Sequence, residues 1–146
     1  MSGPRKLYAS EGELESVVRG FESCATPPAE FTHAAHLVVA LSYLRGSRLT
    51  VVEAAERMRV GLFRFLDHNG VDRQKYHETI TLFWLKRVRG FLDRAGASRP
   101  AAELANEMIE LCGDAKLVND YYSRERLFSE EARKAWVEPD LKPLDF

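Results

Sequence analysis

Helix starts recur along this 146-residue chain, and between them the apolar residues keep a helical period. Ser10 with Glu13 forms one capping box and Thr50 with Glu53 another. In each, the hydroxyl accepts from an orphan amide while the carboxylate reaches back to the cap. The first box predicts a helix to about Cys24 that buries Leu14, Val17, Val18 and Phe21. Pro27-Pro28 ends it, because proline lacks an amide donor and clashes with the preceding turn. Thr32 caps a second helix over 33–45, with Gly46 as a left-handed stop. The third follows Thr50 to Asn69-Gly70 with Val51, Ala55, Met58, Leu62, Phe65 and Leu66 on one stripe.

A fourth helix opens at Asp72 or a neighbour and ends near Ala95-Gly96. It carries apolar groups on most faces, among them Ile80, Phe83, Trp84, Val88 and Leu92, which predicts burial or covering partners. Pro100 suits the first turn of a fifth helix that stops at Gly113. Shorter helical pieces are expected over 116–122 and 130–137, the latter capped by Ser129. Residues 138–146 hold two prolines and read as an extended strap packed through Leu141, Leu144 and Phe146. No alternating run of strand length occurs, and 15 Gly and Pro residues are too few for a many-turned sandwich. The expectation is an all-α, compact bundle of about five main helices with short C-terminal helices and a strap, as one domain over 1–146.

Charge bounds the partners. Lys and Arg total 21 against 22 Asp and Glu, and the residues up to Arg73 hold 9 of each sign. Neither half has the basic surplus of a nucleic-acid binder. The densest basic cluster, Lys86-Arg87-Val88-Arg89, reads as a solvated helix edge. Cys24 and Cys112 are solitary, which suits free thiols in a reducing compartment. Met1 to Ser10 lacks the apolar core of a secretory leader, and Leu37-Val38-Val39-Ala40-Leu41 is too short to span a bilayer. A cytoplasmic location without membrane or nucleic-acid partners is expected, and the apolar fourth helix leaves room for a homodimer. No phosphate-binding GxxxxGK, GxGxxG or GxSxG motif is present.

The chemistry concentrates in three of the four histidines. At about 100 degrees per residue, His33 and His36 share the inward stripe with Leu37, Ala40 and Leu44. The same construction turns His77 inward beside Ile80, Trp84 and Val88. Residues three apart on a helix have Cβ atoms about 5–6 Å apart, close enough for two imidazoles to converge on one ion. Burial and the positive end of a helix both favour neutral imidazole, the form that binds metal or accepts a proton. His33, His36 and His77 are therefore candidate ligands for a divalent transition metal, Zn, Fe or Ni, between the second and fourth helices. Three imidazoles would leave a position open for a metal-bound water. Glu78, 100 degrees around from His77, is the candidate catalytic proton shuttle, with Glu30, Tyr76, Thr81 and Asp120 as further ligands or supporting groups. His68, in the last turn before Asn69-Gly70, reads as a C-terminal capping cation.

The segments Glu30-Phe31-Thr32-His33-Ala34-Ala35-His36-Leu37 and Lys75-Tyr76-His77-Glu78-Thr79-Ile80-Thr81 resemble signature pieces of a small bacterial all-helical family of uncharacterised function. Tyr121-Tyr122-Ser123 and Trp136-Val137-Glu138-Pro139-Asp140-Leu141 are similar as well. The resemblance implies that the histidine segments belong together and supplies no activity or cofactor. Three readings follow. The first is a metal-binding protein, with enzymatic action on a small molecule as an extension. The second is a non-catalytic module that binds a small ligand in a metal-free, histidine-lined pocket. The third is a helical interaction protein whose histidines satisfy core hydrogen bonds.

Overall fold

The computed structural model describes residues 7–96 and 98–146; Met1 to Lys6, on which the expectation of no secretory leader partly falls, lie outside them. The chain folds as an all-α bundle, with no strand among the described residues. Its elements are α1 (Glu11–Glu22), α2 (His33–Leu41), α3 (Val51–His68), α4 (Glu78–Ala95), α5 (Ala101–Cys112), α6 (Arg124–Leu127) and α7 (Glu130–Lys134). Short 3-10 turns cover Pro28–Glu30, Arg73–Lys75 and Ala115–Asp120.

The caps form where the sequence puts them. Ser10, Thr32, Thr50 and Ser129 each accept an amide of the following turn, and Thr50 with Glu53 closes both halves of its box. α3, α4 and α5 stop where expected, at Asn69-Gly70, Gly96 and Gly113, with Gly70 and Gly96 at positive φ, but other boundaries differ. Gly46 ends no left-handed cap; α2 widens into a π turn over Ser42–Gly46, and the left-handed residue beyond it is Arg48 at φ 55°. At the end of α1 the left-handed position falls on Cys24, at φ 62°. Asn69, not His68, supplies the side-chain bond to the Phe65 carbonyl at the end of α3. Asp72 caps only the Arg73–Lys75 turn, and α4 starts five residues later behind His77.

α4 is the axis of the bundle, in contact with α2, α3, α5 and α7. Those partners cover its apolar faces, so Phe83, Leu85, Val88 and Leu92 are fully buried within one chain. α2 lies against α1, α4 and α5, and its Leu37, Val38, Val39 and Leu41 complete the core. Gly61 lets α3 approach α1, since a Cβ there would sit 2.7 Å from the Phe21 ring. The C-terminal strap lies across α4, where a Cβ on Gly90 would meet the Phe146 backbone at 3.1 Å. Leu144 and Phe146 pack on the core as expected, whereas Leu141 is 56% exposed and is held instead by its amide, bonded to the Tyr121 carbonyl. Both cysteines are free, and no helix of the described residues is long and apolar enough to cross a membrane.

A histidine-walled cavity at the starts of two helices

The first turns of α2 and α4 meet at one cavity of about 530 Å³, a size ordinary for a small-molecule site. His33, His36 and His77 all stand in its wall. Met58, Leu62 and Phe65 of α3 form the apolar side, and Ala115 and Val118 close the end beyond α5. Lys75 reaches the wall from the turn before α4.

Each histidine has a different set of partners. His77 Nε2 lies 2.6 Å from the Leu127 carbonyl, so this nitrogen carries the proton and donates. Its Nδ1 accepts the Ile80 amide at 3.1 Å, which makes an imidazole the N-cap of α4. The two bonds together define a neutral ring in a single tautomer. His33 donates through Nε2 to the Cys112 carbonyl at 3.0 Å, at the end of α5, and its ring meets Trp84 edge-on at 4.5 Å between centroids. His36 donates through Nδ1 to the Thr32 carbonyl at 3.0 Å and packs on Phe31 at 4.0 Å. Neither His33 Nδ1 nor His36 Nε2 has a protein partner among the described residues. Both rings are half-buried and stand in the cavity wall.

Burial holds all three imidazoles below their usual range. The Cys112 carbonyl and Asp114 partly offset it at His33, and the Thr32 carbonyl at His36, where His33 opposes a second charge. At His77 the Leu127 carbonyl offsets it and Arg133 adds to the depression.

The structure therefore brings the three histidines to one wall but does not present them as one ligand set. Among the described residues no group of three His, Cys, Asp or Glu side chains is placed to hold a metal ion. His77 has no lone pair to give while it caps α4 and bonds Leu127. Glu78 lies outside this cavity, in a neighbouring cleft with Arg59, Arg73 and Arg133. There Arg59 grips it through two nitrogens, at 2.8 and 3.2 Å, and the Tyr76 hydroxyl donates to it at 2.5 Å. Thr81 lines the cavity and donates to the His77 carbonyl at 2.9 Å. Glu30 and Asp120 are exposed and outside the wall. The Tyr122 hydroxyl donates to the Val137 carbonyl and that of Tyr121 to Asp145, so neither phenol lines the cavity.

Family models, curated proteins and solved structures give no match to this chain.

Phe31 and Lys75 are wall residues that the histidine spacing did not single out, whereas Trp84 stands on the stripe it predicted. A local signal existed for both. Phe31 precedes the cap of α2, and Lys75 stands two residues before His77.

Proposed function

We propose that the chain is a small-molecule-binding module whose ligand occupies the histidine-walled cavity without a metal ion. The double commitment of His77 carries this reading. Ligation by His33, His36 and His77 together would require His77 to release either the Ile80 amide or the Leu127 carbonyl. The remaining wall is what a small organic ligand needs: apolar and aromatic surface with a few polar groups that fix orientation. No reaction step is assigned, because Glu78, the acidic group nearest His77 in sequence, is held by Arg59 and Tyr76.

The test uses N-phenyl-1-naphthylamine, a neutral apolar dye that brightens in apolar surroundings. A saturable rise with one site per chain is expected, unchanged by one equivalent of zinc. Leu62→Trp, which fills the cavity from α3, should abolish the rise while the helical circular dichroism stays intact. No saturable binding to the wild type, or equal binding to Leu62→Trp, would overturn the proposal.

A further inference from the structure

We propose that the ligand is an apolar monocarboxylic acid whose carboxylate lies against His33 and His36 while its apolar body runs along Phe31, Trp84 and the α3 side chains. This inference rests on the cavity being a small-molecule site and names the class of molecule.

The wall has a one-sided chemistry. Its ionisable nitrogen groups are His33, His36, His77 and Lys75, and no carboxylate stands among them. The nearby acids are already engaged. Glu78 is paired with Arg59, and Asp114 accepts the Lys116 amide at 2.9 Å. Lys75 has no ion pair among the described residues. The free nitrogens, His33 Nδ1 and His36 Nε2, belong to rings that already touch Trp84 and Phe31. Polar and apolar contacts therefore adjoin each other, as an amphiphilic acid requires. The wall holds no arginine. Its one lysine, Lys75, and imidazoles that burial disfavours in the charged form match the single charge of a carboxylate more closely than the nearly double charge of a phosphate.

Protonation follows from the same geometry. Each of these two imidazoles donates to its carbonyl through one nitrogen, so it can take a proton on the other without losing that bond. In the empty cavity burial opposes the charge, as does the second imidazole at His36. A carboxylate between them reverses the balance. The charged and titratable groups around the pair are Asp114 beyond α5, Lys75, Tyr76 and His77 before α4, and Arg133 of α7 acting on His77. Binding should therefore draw in a proton, and affinity should rise as pH falls.

Calorimetry on the full chain with 3-phenylpropionate, and with its neutral amide as control, tests this at pH 6 and pH 8. The acid is expected to bind at least tenfold more tightly at pH 6. The heat should differ between two buffers of unequal ionisation enthalpy, which reports proton uptake. The amide should bind more weakly and without pH dependence, and His36→Gln should remove most of the pH dependence for the acid. Equal binding of acid and amide at both pH values would overturn the acid assignment. So would tighter binding of phenyl phosphate than of the acid. If the naphthylamine dye still binds, the cavity reading survives that failure; if the dye fails as well, both fall.

Discussion

His77 shows how one side chain can serve the fold and shape a site at once. Its ring occupies the N-cap position, where Ser, Thr, Asn and Asp are the usual residues. His77→Ala removes the Ile80 bond and leaves the Leu127 carbonyl without its donor, and should cost about 1–3 kcal/mol in urea unfolding. His77→Asn keeps a capping oxygen and should recover roughly half of that. An alanine variant as stable as the wild type would contradict the cap. Acidity should act through the same rings. The unfolded chain titrates its histidines near about 6.5, and folding lowers all three. Below 6.5 the unfolded state therefore binds more protons, so stability drops as pH is lowered. The histidine contribution is complete above about pH 7 and is lost below 6.5, before carboxylates such as Glu22 protonate. The urea midpoint should drop between pH 7.5 and 5.5, and a flat or rising midpoint would contradict the depressed imidazoles. The inward placement of the three histidines could be read from periodicity. The cap could not, because the Leu127 carbonyl lies 50 residues away in sequence and arrives only through packing.

At the level of elements, most helix starts and the glycine-marked stops of α3, α4 and α5 were legible, whereas the stop of α2 and the start of α4 were not. A capping box is a bond between residues three apart, so Thr50 and Glu53 announce it without knowledge of the rest. A stop depends on what the chain must pack against next. Gly46 lies in a π turn, and besides Gly70 and Gly96 the positive-φ positions among the described residues are Cys24 and Arg48, where a Cβ is strained. Cys24→Gly should therefore stabilise the protein by about 0.5–1 kcal/mol, roughly 3 °C in melting temperature. A loss would show that the Cys24 side chain matters more than its backbone. Gly61 carries the opposite expectation. Adding a methyl places it 2.7 Å from the Phe21 ring, which is fully buried and stacked on Phe31 at 4.6 Å. Gly61→Ala should cost about 1–3 kcal/mol by overpacking, measured by thermal unfolding. Because Phe31 also walls the cavity, dye binding should weaken with it.

For the whole molecule, the apolar fourth helix could mean a dimer or a deep core from sequence alone. α2, α3, α5 and α7 cover it within the chain, so its hydrophobicity is accounted for without a second copy. The basic edge on that helix has a second use. Lys86 lies over Trp136 and Arg87 over Phe146, at 4.8 and 4.9 Å, and they help hold the C-terminal segment down. Thr79, fully buried, anchors the same segment by donating to the Ala135 carbonyl and accepting the Val137 amide. Thr79→Val should cost about 2–4 kcal/mol, since two buried backbone groups lose their partners. The proposed metal-free cavity stands or falls with His77, whose two ring nitrogens are both held by protein hydrogen bonds. Long-range nitrogen–proton NMR of the imidazoles, before and after one equivalent of zinc, tests this most directly. A neutral His77 protonated on Nε2, with ring signals that do not move with zinc, is expected. Concerted shifts of His33, His36 and His77 at one equivalent, with a rise in melting temperature, would contradict it.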